Sequence, residues 1–116
     1  MTESDCLFCK IGAGEIVAKV IYETDEVMGF RDINPQAPTH VLIIPKRHIA
    51  TINDLAEGDT DTVGKLYLAA RDIARQEGFA EPGYRMIMNC NAAAGQTVFH
   101  IHLHLLGGRD FTWPPG

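Results

Sequence analysis

Near its C-terminal end the chain reads His100-Ile101-His102-Leu103-His104-Leu105-Leu106, and this alternation decides how the chain must fold. On a strand, successive side chains point to opposite faces, so Ile101, Leu103 and Leu105 turn into a core while the three imidazoles line the other face. A lone strand histidine is usually a solvated or hydrogen-bonded surface residue. Three at period two, opposite an unbroken aliphatic face, are a poor answer to mere solubility, which Lys, Thr or Glu would serve as well.

Working outward, the strand expected over Val98 to Leu106 follows a strand over Tyr84 to Asn89, with a Gly95-containing loop between them. The long helix is expected from Asp59 or Thr60 to Gly78. Val63, Leu66, Tyr67, Ala70, Ile73 and Ala74 form one apolar stripe, Asp59 or Thr60 caps the start, and Gly78 supplies the stop. Upstream, Val17 to Tyr22 and Val27 to Ile33 flank the polar turn Glu23-Thr24-Asp25-Glu26 and read as a hairpin. Asn34 to Pro38 is a Pro-punctuated loop, and His40 to Pro45 is a short buried strand. Leu7, Phe8 and Ile11 before two glycines suit a short helical turn ending near Gly12 or Gly14. The expected class is α+β: a five-stranded, mainly antiparallel sheet with one long helix on one face and a short N-terminal helix. One domain over residues 1–116, with a tail from 107, accommodates the whole chain.

Composition narrows the partners. The 116 residues are 46% hydrophobic and 22% charged, an ordinary globular balance. A net charge of −5 with scattered Lys and Arg argues against a nucleic-acid surface, and the tight pair Lys46-Arg47 reads as a solvated face. No apolar run approaches the ~20 residues of a membrane span. The acidic start Met1-Thr2-Glu3-Ser4-Asp5 lacks the pattern of a signal peptide, so a cytoplasmic location is expected.

The cysteines are Cys6, Cys9 and Cys90. A thiol pair three positions apart is more often a metal or redox site than a disulfide in a cytosolic chain, and no strand precedes Cys6 as a redox motif requires, which favours metal. Two buried thiols with no ligand are the alternative. For the histidines, alternate strand positions are ~6.6 Å apart, so His100 and His104 are ~13 Å apart. Metal bonds to imidazole are only ~2.0–2.1 Å, so the outer pair cannot share an ion and at least one histidine has other work. A metal-free imidazole can attack phosphorus or carbon, or move protons near neutral pH. No serine or cysteine stands near in sequence to act instead.

The chain resembles the histidine triad (HIT) superfamily, most closely its Hint branch of nucleoside phosphoramidases. The resemblance covers nearly the full length and rests on the triad, on Phe30-Arg31-Asp32-Ile33-Asn34-Pro35-Gln36-Ala37-Pro38-Thr39-His40, on Asn89, on Gly95-Gln96-Thr97-Val98, and on Leu106-Gly107-Gly108-Arg109 with Trp113-Pro114-Pro115-Gly116. It implies His102 as the nucleophile that forms a nucleotidyl-histidine, with His40 and His104 contacting the phosphate and relaying protons. Thr97 stands where this branch usually has serine and offers its hydroxyl to the phosphate or leaving nitrogen. The backbone N–H groups of Gly95 to Val98 (Gly95, Gln96, Thr97 and Val98) would cradle phosphate oxygens, glycine permitting close approach, and Asn89 would add a polar contact. Asp32 resembles the ribose-binding carboxylate, and Leu7, Phe8, Ile11, Phe30 and Ile33 match positions that wall the base. Plain core is the alternative for those apolar residues, and a local turn cap is the alternative for Asp32. Cys6 and Cys9 match zinc-bearing members, in which His48 and His100 complete a Cys₂His₂ set. The resemblance also implies a homodimer, with the tail reaching the partner subunit's site.

The expected function is hydrolysis of purine nucleoside phosphoramidates, and of acyl- or aminoacyl-adenylates, to a nucleoside monophosphate, with structural zinc and no organic cofactor. The alternatives are a dinucleoside polyphosphate hydrolase, a nucleotide-binding scaffold with incidental activity, and a zinc module without catalysis.

Overall fold

The computed structural model describes residues 5–116; the acidic start, Met1 to Ser4, lies outside the described residues. The elements are α1 (Leu7–Gly12), β1 (Val20–Glu23), β2 (Val27–Arg31), β3 (Thr39–Pro45), α2 (Thr60–Glu77), β4 (Tyr84–Ile87) and β5 (Leu103–Gly107). The five strands make one sheet in the order β1-β2-β3-β5-β4, and all four pairings are antiparallel. The last strand is thus inserted between β3 and β4, which puts its histidine in the middle of the sheet, where Leu42 and Ile87 both pair with His104.

One face packs against α2. Val27, Val41, Ile43, Leu103 and Leu105 meet Leu66, Ala69, Ala70, Ile73 and Ala74 in a single buried cluster. Each large aliphatic side chain fully buried there contributes about 1.5–3 kcal/mol. Gly29 in β2 permits the close approach, since a Cβ at that position would stand 3.0 Å from Ile73 Cδ1. The other face is divided. Met28, Phe30, Leu42 and Ile44 lie under Phe8 and Ile11 of α1, while the part carrying Arg85, Ile87, His104 and Leu106 borders a cavity.

The helix stripe is shifted from the expected one. Tyr67 is exposed and Ala69 takes the buried position, because small side chains at 69, 70 and 74 let the helix lie close to the sheet. Gly78 ends α2 in the left-handed region (φ 87°), its N–H donating to Ala74 O and Arg75 O. Asp59 stands at the start but does not cap α2. Its Oδ2 accepts from Ala56 N–H at 2.8 Å and its Oδ1 from Arg47, closing the preceding turn instead. Lys46 pairs with Glu23 at 2.6 Å, so both members of the basic pair have carboxylate partners.

Several strand boundaries differ from the sequence reading. Residues 17–19 stay outside β1, which carries a bulge between Val20 and Tyr22, and β2 stops at Arg31, leaving Val17 and Ile33 almost wholly exposed. The strand expected over Tyr84 to Asn89 ends at Ile87, opposite His104. The strand expected over Val98 to Leu106 begins only at Leu103. Before it, the chain leaves the ladder and runs beside Ile49, whose carbonyl accepts from Ile101 N–H at 2.8 Å. Side-chain alternation survives this departure: Ile101, Leu103 and Leu105 are all buried in the α2 core.

Candidate active site and metal cluster

Two histidine clusters occupy the face opposite α2. The first joins the start of α1 to the segment before β5. Cys6 is the N-cap residue of α1 and Cys9 lies one turn on, with Cys6 Sγ accepting from Cys9 N–H at 3.4 Å, so both sulfurs share one side. Cys6 Sγ is 3.3 Å from His100 Nδ1, and Cys9 Sγ is 3.3 Å from His48 Nδ1 and 3.5 Å from His100 Nδ1. The four donor atoms lie within 4.8 Å of one another. A tetrahedral ion with bonds of about 2.3 Å to sulfur and about 2.0–2.1 Å to nitrogen spaces sulfur from nitrogen by about 3.5 Å. The donor set therefore fits such an ion. The His100 ring is completely buried, and its Nε2–H donates to Pro45 O at 2.7 Å, which turns the Nδ1 lone pair toward the thiols. No described cysteine is in a disulfide.

The second cluster holds His40, His102 and His104. His102 Nδ1 is 2.8 Å from the carbonyl oxygen of His100, and a carbonyl can only accept, so the proton is on Nδ1 and the lone pair on Nε2. That Nε2 is not sealed in, because no buried side-chain nitrogen or oxygen among the described residues lacks a partner. In β3, His40 Nδ1 accepts from Gln36 N–H at 3.0 Å, which puts the proton of the neutral ring on Nε2. It points at His104 Nδ1, 2.9 Å away, and leaves His104 with its proton on Nε2. His40 Nε2 also stands 3.4 Å from Asp32 Oδ2. Asp32 Oδ1 accepts from Asn34 N–H at 2.8 Å, so the local turn cap considered above exists on one oxygen while the other faces histidine.

Burial is the main influence on all three rings and lowers their proton affinity. His104 is pushed down to about 4, by burial first and then by the His102 and His40 imidazoles, with Asp32 opposing. His102 and His40 are lowered by burial alone, opposed at His102 by the hydrogen bond to the His100 carbonyl and then by Asp32, and at His40 by Asp32. At neutral pH the cluster is a set of neutral imidazoles with defined tautomers.

Two cavities flank it. One, of about 540 Å³, is walled by Leu7, Phe8, Ile11, Phe30 and Ile33 with Asp32 at its rim, which brings together the apolar positions singled out from the sequence. Ile16, Val17 and Leu42 also line it and were missed. Leu7, Ile16, Val17 and Ile33 are among the exposed large apolar residues, and their concentration at one opening is the mark of a binding surface. The other cavity, of about 380 Å³, includes Gln36, His40, Asn89, His104, Arg85 and Arg109. Phe8 links the regions, its ring edge-on to His100, His102 and Phe30 with centroids 6.0, 5.0 and 5.5 Å away.

The loop after β4 departs from expectation. Gly95 N–H donates to Ala92 O and Gln96 N–H to Asn91 O, so neither is available to a phosphate. Gln96 is a buried brace: Oε1 accepts from Asn91 N–H at 2.7 Å, while Nε2 donates to Ala50 O and Val98 O. Thr97 is exposed beside this loop and lines neither cavity, and Val98 packs on the α1 cluster. Gln36, Arg85 and Arg109 have no local motif to announce them; Arg109 Nε donates to Gln36 O at 3.2 Å and its guanidinium lies 4.2 Å above the Phe111 ring.

A small α+β sheet presenting a cluster of three histidines beside a thiol–imidazole cluster defines the class, and the sequence matches the HIT domain over residues 13–111, so the chain belongs to the HIT family. It is 51% identical over 105 residues to the purine nucleoside phosphoramidase of Escherichia coli strain K12, covering 90% of this chain and 88% of that one. The crystal structure of a HIT family hydrolase from Legionella pneumophila superposes with a TM-score of 0.95 at 56% identity, covering 97% of this chain and all of that one. A zinc-bound histidine triad family protein from Mycobacterium smegmatis matches with a TM-score of 0.79 at 34% identity, over 94% of this chain and 78% of that one. No described helix is long and apolar enough to cross a membrane.

Proposed function

We propose that this protein hydrolyses purine nucleoside 5′-phosphoramidates to a nucleoside monophosphate and an amine through a nucleotidyl-histidine on His102. The observation that carries this is the hydrogen bond from His102 Nδ1–H to the His100 carbonyl, which leaves Nε2 as an unprotonated nucleophile. The high identity to the Escherichia coli phosphoramidase supports the substrate class. The base enters the apolar cavity beside Phe8 and Phe30, with Asp32 at the ribose and the phosphate between His102, His104 and His40.

Entry of the phosphate anion raises the proton affinity of His104 from its low resting value, and His104 becomes the imidazolium. The His102 Nε2 lone pair then forms a bond to phosphorus. The P–N bond breaks toward the amine, which takes the bonding pair and a proton from His104 Nε2. Water next attacks phosphorus, the P–Nε2 pair returns to His102, and the water proton passes to His104. Asn89 and Thr97 serve as polar contacts at the phosphate or leaving group, and acyl- or aminoacyl-adenylates fit the same path.

Cys6, Cys9, His48 and His100 hold a structural zinc ion in this reading, which the fit of the donor set and the zinc-bound relative support. Zinc ties α1, which walls the base cavity, to the segment that carries the nucleophile. The enzyme works as a cytoplasmic homodimer: three cysteines outside disulfides suit a reducing compartment, and the exposed Trp113 in the tail suits a surface covered by a second copy. A monomer mass in solution scattering would overturn the dimer.

The test of function is a denaturing alkaline quench, which preserves a P–N bond, during turnover of adenosine 5′-phosphoramidate, followed by peptide mass spectrometry without acid steps. An adenylyl group on the peptide carrying His102 is expected; turnover without one, or with the adduct elsewhere, overturns the mechanism. Faster turnover of a diadenosine polyphosphate would move the assignment to that substrate class.

A further inference from the structure

The tautomers around His40 create a conflict, and among the described side chains the Asp32 carboxylate stands where it can relieve it. Gln36 N–H donates to His40 Nδ1, so the His40 proton must stay on Nε2, and in the resting cluster it serves His104 Nδ1 at 2.9 Å. When His104 becomes the imidazolium required above, Nδ1 acquires its own proton and two N–H groups face each other. His40 cannot escape by moving its proton to Nδ1 without breaking the bond from Gln36. Asp32 Oδ2, 3.4 Å from His40 Nε2, is the alternative acceptor. It is also the negative group in the set: His102 packs on His104, and Arg85 and Arg109 line the adjoining cavity.

We propose that Asp32 is a positioning residue of the reaction, taking over the His40 Nε2–H and thereby freeing His104 Nδ1 to take the second proton of the imidazolium, whose Nε2–H goes to the leaving amine. The proposal rests on the phosphoramidase reading and assigns the carboxylate a task separate from any contact with the sugar. The two oxygens divide the work: Oδ1 is occupied by Asn34 N–H and fixes the side chain, while Oδ2 remains for His40. Rapid turnover then requires Asp32 whatever hydroxyls the sugar carries.

Asp32→Asn is the informative change, because the amide oxygen can still accept from Asn34 N–H and keep the turn, while the amide nitrogen offers His40 a donor in place of an acceptor. Turnover is measured on adenosine 5′-phosphoramidate and on its 2′,3′-dideoxyadenosine counterpart, for the wild type and the variant. The expected result is a drop in kcat of about 10-fold or more on both substrates. A variant that only raises KM for the ribose substrate, and matches the wild type on the dideoxy substrate, would overturn the proposal and leave Asp32 as a sugar ligand. A second readout needs no substrate: histidine ¹H–¹⁵N correlation spectra of the ligand-free protein through an acid titration. His104 is expected to take its second proton at higher pH in the wild type than in Asp32→Asn; coincident titrations sink the proposal. Absence of wild-type turnover on both phosphoramidates would instead sink the functional reading, and the spectra would still decide the role of Asp32.

Discussion

The imidazoles of His100 and His102 are two residues apart in the segment just before β5, yet their surroundings are opposite. Each ties one ring nitrogen to a backbone carbonyl, and the choice of nitrogen differs. His100 spends Nε2–H on Pro45 O and offers Nδ1 to two thiols, whereas His102 spends Nδ1–H on His100 O and keeps Nε2 for a substrate. The surroundings follow the same division: sulfur donors and complete burial around His100, other imidazoles, a carboxylate and an open cavity around His104 and His40. The proposed ligand and the proposed nucleophile thus differ in which nitrogen a carbonyl has claimed. Phe8, edge-on to both rings, stands at their border.

The largest effect that tests this division is on catalysis. His102→Asn is expected to reduce kcat for a nucleoside phosphoramidate by at least about 10³-fold, as removal of a nucleophile does. Zinc content by elemental analysis and the melting temperature should stay at wild-type values, since His102 offers no atom to the cysteine cluster. Loss of metal in this variant would show that the two regions are one site.

The reciprocal change acts on stability. Cys6→Ala removes a sulfur that is fully buried and bound to the first turn of α1. Zinc should be lost and the melting temperature should fall by about 10 °C or more, because binding energy at a structural zinc site is folding energy. Turnover should persist well above the level of His102→Asn, reduced only as far as a looser His100 carbonyl loosens His102. Equal loss of turnover in both variants would erase the distinction between ligand and nucleophile.

Phe8→Ala tests the border. Truncating a buried Phe costs about 3 kcal/mol in unfolding free energy, read from denaturant midpoints. Because the ring touches both histidines and lines the base cavity, weaker zinc retention and a higher KM for nucleotide should appear together. An effect confined to one of the two would show that Phe8 belongs to that side alone.

Much of this arrangement was legible in the sequence, for physical reasons that differ by region. The alternation from His100 to Leu106 is a property of the backbone, so it separated core from site even though the ladder begins only at Leu103. The pair Cys6 and Cys9, at one helical turn, was readable because local geometry puts both sulfurs together. What stayed hidden depends on partners distant in the chain. His100 leaves the ladder to reach Pro45 and the thiols, Gln96 closes on Ala50, and Arg109 holds the Gln36 carbonyl. The resemblance implied a phosphate cradle in the Gly95 loop, but the turn over Ala92 to Ala94 consumes the first two of its N–H groups. Val17 and Ile33 read as strand ends because they are β-branched, yet a bulge on one side and the Asp32 turn on the other expel them to the rim of the base cavity.

The smallest effect probes the proton balance of the second cluster against the first. His104 has an ordinary value of 6.5 in the unfolded chain and about 4 in the fold. Between those two values the unfolded state binds a proton that the folded state refuses, so stability is complete above the unfolded value and is lost as pH falls toward 4. Protonation of the proposed zinc ligands would also destabilise the protein in acid, and the two contributions are separated by comparison with His104→Asn, which keeps all four of those residues. Melting temperatures measured from pH 7.5 to 4.5 should fall less steeply in the variant than in the wild type. The difference should amount to a few degrees, since solvent reaches the ring and screens part of the penalty. Some slope should remain, because His40 and His102 are lowered by burial too. Parallel curves would mean that His104 carries its proton as readily in the fold as outside it, and the neutral, tautomer-defined cluster that sets the second region apart from the metal ligands would have to be abandoned.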